Sequence, residues 1–160
     1  MNSEFKNFIH YLSIKLQAQL PGNAAQELLA PVSRKKYPSE PDLSKAKPSS
    51  VLALFYSSGN SIQLVFIQRP FYDGVHSNQI AFPGGAYETS DHDYKETALR
   101  ETYEEIGIHP AQISVIGKLT NLYIPPSNFL VHPYIGYLIG KPDFVPDPQE
   151  VYEVFSLGVF

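Results

Sequence analysis

Cysteine is absent from the 160-residue sequence. This excludes a disulfide framework, thiolate zinc and iron–sulfur sites, and cysteine nucleophiles. Long apolar runs are also missing: stretches such as Val51–Phe55 and Leu64–Ile67 have the length of a strand and fall far below the roughly 18 residues typical of a membrane span. Charged residues near the start, Glu4 and Lys6, argue against a signal peptide. We therefore expect one compact, soluble, cytoplasmic protein with no membrane partner.

A basic stripe of the kind that binds nucleic acid is missing as well. The net charge is −4, and the segment from Glu88 to Glu105 alone holds seven acids and two bases, so that it carries −5 and the rest of the chain +1. Such a concentration of acids repels phosphates unless a metal ion lies between them. We therefore expect no plain nucleic-acid binding, and the acidic segment is the first candidate for a functional site.

The first third of the chain has a helical pattern followed by a proline-rich one. Apolar residues at helical spacing predict a helix over residues 3–20 with Ser3 as its N-cap, and a short helix at Ala24–Leu29. Four prolines between Pro31 and Pro48 indicate an extended connector without regular structure.

The rest of the chain is strand-like, with one strong helix among the strands. Segments rich in β-branched and aromatic residues predict strands at Val51–Tyr56, Ile62–Gln68, Gln79–Phe82, Ile113–Thr120, Val131–Ile139 and Tyr152–Leu157. The helix is predicted over Tyr94–Ile106, with Asp93 at its start and Gly107 as a left-handed cap at its end. We expect a mixed α/β fold, in which residues 1–48 form the N-terminal helix and connector and residues 49–160 form the main domain.

Three carboxylates are predicted to share one face of that helix. Glu101, Glu104 and Glu105 stand at positions i, i+3 and i+4, whereas an opposite, less polar face packs on the sheet. That second face consists of Leu99, Thr102, Tyr103 and Ile106. Clustered hard oxygen ligands suit Mg²⁺ or Mn²⁺. Arg100 is within reach of Glu96 or Glu104, so it could orient the cluster.

An ordinary solvated helix face is the competing interpretation, because exposed like-charge neighbours cost only about 0.2–0.5 kcal/mol per pair. The preceding sequence Phe82-Pro83-Gly84-Gly85 favours a site instead. Two glycines directly after a strand let the backbone approach a ligand closely, although a structural turn would also use them.

The segment Arg100-Glu101-Thr102-Tyr103-Glu104-Glu105-Ile106-Gly107-Ile108 resembles the second half of the signature of the Nudix hydrolase family. Gly85 and Asp91 match its first half if the loop is one residue longer. That longer loop, together with Arg69 upstream, is similar to the coenzyme A diphosphatase branch. The upstream signature differs at three positions, which here are Pro70, Gly74 and Asn78. The resemblance implies an α/β/α sandwich with a mixed sheet and an embedded catalytic helix.

The resemblance also implies roles for individual residues. A metal ion, Mg²⁺ or Mn²⁺, would be held by Gly85, Glu101, Glu104 and Glu105. Catalysis would involve Arg100, which positions the glutamates, and a general base that is either Glu101 or Glu150. Substrate would be bound by Arg69, His76 and Gln79.

The implied reaction is metal-dependent hydrolysis of the diphosphate linkage of a nucleotide derivative, with coenzyme A or an acyl-CoA-like molecule as the best candidate. A nucleoside triphosphate or ADP-ribose is the alternative substrate. A non-catalytic nucleotide-sensing module is the alternative function. The resemblance further implies a homodimer, and a last helix beyond Phe160 in proteins of this kind.

Overall fold

The computed structural model describes residues 1–31, 42–74 and 76–159. Within them the helices are α1 (Ser3–Gln17), α2 (Gly22–Leu29) and α3 (Tyr94–Ile106). The strands are β1 (Lys47–Ser58), β2 (Ser61–Gln68), β3 (Ile80–Ala81), β4 (Gly84–Ala86), β5 (Ser114–Lys118), β6 (Leu122–Ile124), β7 (Phe129–Tyr137) and β8 (Glu153–Gly158).

All eight of these strands belong to one mixed sheet built around β1 and β2. The main path runs β3-β2-β1-β7-β5, while β4 pairs with β1, β6 with β7 and β8 with β2. The β1–β7 pair is parallel and the other pairs are antiparallel. The sheet therefore has the mixed topology predicted from the sequence.

Strand β1 is apolar on both faces because each face is covered by a helix. Leu52 and Leu54 belong to the cluster that includes Ala98 of α3. The alternate residues, such as Phe55, belong to a second cluster with Phe5 of α1. Successive side chains of a strand point to opposite faces of the sheet. The sheet is therefore the middle layer of an α/β/α sandwich, as predicted.

Helix α1 packs against one face of the sheet through a short row of apolar side chains. Asn2, rather than the predicted Ser3, is its N-cap, and the Asn2 side chain accepts a hydrogen bond from the Phe5 backbone N–H at 2.8 Å. Phe5 and Ile9 are the buried residues of this helix. Burying a phenylalanine side chain contributes about 1.5–3 kcal/mol to stability.

The connector and two short strands differ from the predictions. Residues 32–41 of the predicted connector lie outside the described residues. Leu43–Lys45 form a 3-10 turn and β1 begins at Lys47, so the connector has more regular structure than expected. Strands β4 and β6 were not predicted, because three residues are too few to show a periodic pattern.

Candidate active site

The glycine pair of the Phe-Pro-Gly-Gly segment lies in strand β4 rather than in a turn. Gly84 pairs with Val51 and Gly85 with Ser50. Gly84 has φ +150°, and a Cβ built on it would lie 2.6 Å from the Val51 Cα, so only glycine fits this backbone. A Cβ on Gly85 would lie 2.6 Å from Oε1 of Glu101. Gly84 therefore lets the β4 backbone lie directly against β1, and Gly85 lets it lie directly against Glu101 of α3.

Helix α3 is fixed at both ends by the caps that the sequence predicts. The Asp93 side chain accepts a hydrogen bond from the Glu96 backbone N–H at 2.8 Å, and Gly107 ends the helix in the left-handed region with φ +75°. A second acid adds a bond at the start of the helix: the Glu96 carboxylate accepts from the His92 backbone N–H at 2.7 Å. These contacts fix where the helix begins and ends.

The division of α3 into an acidic and an apolar face is wrong in two positions. Tyr103, predicted to face the sheet, is 50% exposed, and Glu105, predicted to face away from it, is 2% exposed. The buried residues are Thr97, Ala98, Thr102, Glu105 and Ile106. A carboxylate can occupy the buried face because the Gly84 N–H donates to its Oε2 at 2.8 Å, and a buried polar group needs such a partner.

Glu105 has the most strongly shifted pKa among the acids of the site. Burial raises its pKa to about 8, against the lowering effect of the Gly84 hydrogen bond and the Arg69 charge. The Nη1 atom of Arg69 lies 3.8 Å from Oε1 of Glu105, which is too long for a hydrogen bond. Glu105 is therefore a carboxylate with one short hydrogen-bond donor, the Gly84 N–H, and one longer ion-pair contact, with Arg69.

Glu101 lies one helical turn before Glu105. Its carboxylate accepts a hydrogen bond from Arg100 Nη1 at 2.9 Å, and its pKa is raised, mainly by burial. Glu150 joins these two from the segment between β7 and β8. Ligand oxygens of Glu101, Glu105 and Glu150 all lie within 4.8 Å of one another. We call these three residues the acid cluster.

Glu104 stands apart from the acid cluster. Its side chain is 47% exposed, and Oε2 accepts from Arg100 Nη1 at 2.8 Å. The three helix glutamates thus do not form one uniform face. Arg100 lies between the carboxylates of Glu101 and Glu104, and the sequence-distant Glu150 lies with Glu101 and Glu105.

Arg100 is anchored by Asp91, the residue that stands in the acidic position of the signature. Its Nε donates to Asp91 Oδ1 at 2.9 Å and its Nη2 to Oδ2 at 3.1 Å. Nη2 also donates to the Ala86 carbonyl at 3.0 Å. Thr97 Oγ1 and the Glu88 backbone N–H complete the bonds to Asp91. Hydrogen bonding by Arg100 holds the pKa of Asp91 at about 2, so Asp91 stays ionised and fixes the guanidinium.

The predicted substrate-binding residues lie in and beside the loop between β2 and β3. The Arg69 backbone N–H donates to the Gln79 carbonyl at 2.9 Å, and His76 Nδ1 lies 3.1 Å from Gln79 Oε1. The Arg69 guanidinium extends to Glu105, and its Nε is buried with no hydrogen-bond partner in the described part of the chain. Arg69 therefore connects this loop to the acid cluster, whereas His76 and Gln79 contact each other.

The acid cluster fits a hard divalent cation. Three carboxylates converge within 4.8 Å, burial disfavours the charged form of Glu101 and Glu105, and oxygen ligands are those that Mg²⁺ and Mn²⁺ prefer. Sequence spacing identified Glu101 and Glu105 together. Glu150 was predicted only as a candidate general base. That prediction came from the family resemblance, because no local sequence pattern points to Glu150.

None of the helices in the described ranges is both long and apolar enough to cross a bilayer.

Among curated proteins, the chain is 35% identical over 134 residues to Nudix hydrolase 15, mitochondrial, of Arabidopsis thaliana, covering 82% of this chain and 45% of the relative. It is 36% identical over 106 residues to the peroxisomal coenzyme A diphosphatase NUDT7 of Mus musculus, covering 66% of this chain and 44% of the relative. The chain thus spans about half the length of the curated relatives it matches.

Structural comparison gives the same fold. A Caenorhabditis elegans Ap4A hydrolase in a binary complex superimposes with a TM-score of 0.60 at 17% identity, covering 69% of this chain and 79% of that one. At this identity the likeness shows the fold alone. The family comparison matches the NUDIX domain to residues 46–157, and the chain therefore belongs to the Nudix family.

Proposed function

We propose that this chain is a metal-dependent hydrolase that cleaves the diphosphate linkage of a nucleotide derivative. The observation that carries the proposal is the acid cluster, in which Glu101, Glu105 and Glu150 converge within 4.8 Å although Glu105 is 2% exposed. Bringing other carboxylates up to a buried one is unfavourable unless a positive charge accompanies them. A solvated helix face would not hold a carboxylate in this way.

A divalent ion, Mg²⁺ or Mn²⁺, would be held by Glu101, Glu105 and Glu150, with the Gly85 carbonyl and Glu104 as further ligands implied by the family resemblance. When bound, such an ion neutralises phosphate charge and makes water a better nucleophile. Arg100 keeps the Glu101 and Glu104 carboxylates in place through bonds of 2.9 and 2.8 Å. The Gly84 N–H holds the Glu105 carboxylate in place through a bond of 2.8 Å.

In the hydrolysis, a water oxygen forms a bond to one phosphorus while the phosphoanhydride P–O bond breaks, and the leaving phosphate takes the bonding electron pair. A general base removes the water proton. Glu101 and Glu150 are the two candidates, and both carboxylates belong to the acid cluster. Comparing the pH–rate profiles of Glu101→Gln and Glu150→Gln identifies the base, because only its loss removes the acidic limb of the profile.

Coenzyme A or an acyl-CoA-like molecule is the substrate we propose first. This rests on the upstream sequence match and on the 36% identity to a coenzyme A diphosphatase. Arg69 has a partly exposed guanidinium beside the cluster and is the proposed phosphate anchor. His76 and Gln79 would line the substrate side of the same loop. Nucleoside triphosphates and ADP-ribose are the alternative substrates.

The test is a panel of coenzyme A, ADP-ribose, dinucleoside polyphosphates and nucleoside triphosphates incubated with Mg²⁺ or Mn²⁺, with products separated by chromatography. Two phosphorylated products from one substrate are expected. Glu105→Gln should lower kcat at least about 100-fold. Glu153→Gln removes the same charge from an exposed position on β8 and should leave kcat unchanged. If no member of the panel is cleaved but one binds, the sensing module is the correct function.

The other predictions about the cellular setting are part of this proposal. We propose a small-molecule nucleotide substrate, a cytoplasmic location and a homodimer. Residues 1–48 would form an N-terminal helix and connector, and residues 49–160 the catalytic domain.

A further inference from the structure

The carboxylates of the acid cluster come from two separate parts of the chain. Glu101 and Glu105 lie on α3, whereas Glu150 lies on the segment between β7 and β8. Like charges at this distance repel one another. The Glu150 carboxylate therefore needs a backbone that is held against α3.

The segment before Glu150 is attached to the end of α3 by two backbone hydrogen bonds. The Val145 N–H donates to the Ile106 carbonyl at 3.0 Å, and the Asp147 N–H donates to the Glu105 carbonyl at 3.1 Å. These carbonyls belong to the last turn of the helix, where no intrahelical donor is available. The segment thus completes the helix end while it approaches the site.

Asp147 also begins the turn that carries Glu150. Its carbonyl accepts hydrogen bonds from the Glu150 N–H at 3.1 Å and from the Val151 N–H at 2.8 Å. Its side-chain Oδ1 accepts from the Gln149 N–H at 2.8 Å. Pro148 follows directly. An aspartate that caps a turn, followed by proline at the first position, is the arrangement that starts a helical turn.

One residue therefore contacts both halves of the acid cluster. The main chain of Asp147 is hydrogen-bonded to the main chain of Glu105 and to that of Glu150. Its side chain caps the turn that carries Glu150. We propose that Asp147 is a positioning residue, which places the Glu150 carboxylate against Glu101 and Glu105 so that the three can hold one cation. This inference rests on the proposed function of the site.

The experiment measures Mn²⁺ affinity by titration calorimetry and by electron paramagnetic resonance, with no substrate present. Asp147→Ala removes the side-chain acceptor and should weaken Mn²⁺ binding about 10-fold, as loss of an outer partner of a metal ligand does. Asp147→Asn keeps an oxygen acceptor and should stay within about 2-fold of wild type. Asp143→Ala is the matched control, because it removes the same charge from an exposed position of the same segment.

A double-mutant cycle separates positioning from a general effect on folding. In a Glu150→Gln background, Asp147→Ala should weaken Mn²⁺ binding no further, because the carboxylate that it positions is already gone. Asp147→Gly is the second variant, since glycine is tolerated at a cap but provides no side-chain acceptor. It should weaken Mn²⁺ binding in the same direction as Asp147→Ala but by less, and it gives the answer if the alanine variant does not fold.

The inference would be overturned if both Asp147→Ala and Asp147→Gly bound Mn²⁺ as tightly as wild type. It would also be overturned if Asp147→Asn lost affinity as the alanine variant does, or if the loss persisted unchanged in the Glu150→Gln background. A wild-type protein that neither binds Mn²⁺ nor cleaves any substrate would overturn the proposed function as well. A wild type that does both, with unaffected Asp147 variants, would overturn only the role of Asp147.

Discussion

Replacing Asp91 by asparagine tests the electrostatic frame that orients Arg100. Asp91 is 5% exposed and receives two hydrogen bonds from Arg100, at 2.9 and 3.1 Å, and further bonds from Thr97 and Glu88. Its pKa falls from 3.8 to about 2. At 1.36 kcal/mol per pKa unit, ionised Asp91 contributes about 2 kcal/mol to the free energy of unfolding at neutral pH.

The sign of the pH dependence follows from the lowered pKa. Because the folded protein releases this proton more readily than the unfolded chain, the stabilisation is complete above the unfolded pKa of 3.8 and disappears as the pH falls towards 2. Between pH 5 and pH 2 the wild type should therefore lose about 2 kcal/mol more of its free energy of unfolding than Asp91→Asn. At pH 7 the variant should be less stable by at least this amount, since Arg100 loses its ionised partner.

Urea unfolding followed by far-ultraviolet circular dichroism at a series of pH values measures this difference. Asp143→Asn, an exposed aspartate, is the control for loss of one carboxylate and should follow the wild-type curve. If Asp91→Asn and wild type lost stability in parallel from pH 5 to pH 2, the pairing of Asp91 with Arg100 would not be the source of the lowered pKa.

Three other changes have definite expected outcomes. Gly85→Ala should weaken Mn²⁺ binding about 10-fold in calorimetry, since its Cβ would lie 2.6 Å from Glu101 Oε1; unchanged affinity would contradict the geometry. Without metal, burial raises the Glu105 pKa from 4.5 to about 8, so this group should destabilise the wild type as the pH rises from 4.5 to 8. The destabilisation should reach about 3 kcal/mol by pH 7 and be absent in Glu105→Gln. Thermal unfolding in the presence of chelator measures this, and an equal dependence of stability on pH in wild type and variant would contradict it. Phe5→Ala should cost about 3–5 kcal/mol, because Phe5 is fully buried between α1 and the sheet; a loss below 1 kcal/mol in urea unfolding would show that α1 is dispensable.

Local sequence was enough to predict the parts of the fold that depend on neighbouring residues. Helix α3 was predicted over its full range, Tyr94–Ile106, because its cap Asp93 and its left-handed Gly107 are local signals. The long strands were predicted to within a few residues by their β-branched and aromatic composition. Strand β4 was missed because its three residues form a strand only through pairing with β1.

The acid cluster shows where local prediction ends. Spacing correctly brought Glu101 and Glu105 near each other, but it also grouped Glu104 with them and gave no reason to add Glu150. Helical periodicity fixes the angle between side chains and leaves open which face meets the sheet. That rotation was decided by the Gly84 N–H, which stabilises a buried Glu105.

The sequence by itself therefore determined the long strands, helix α3 with its caps, and the signature from Arg100 to Gly107. The tertiary structure alone decided which carboxylates converge. Arg100 draws Glu104 to the outside of the helix, and the segment held by Asp147 brings in Glu150. The physical reason is that these contacts join residues far apart in the chain, so their geometry depends on how the elements pack and not on the residues beside them.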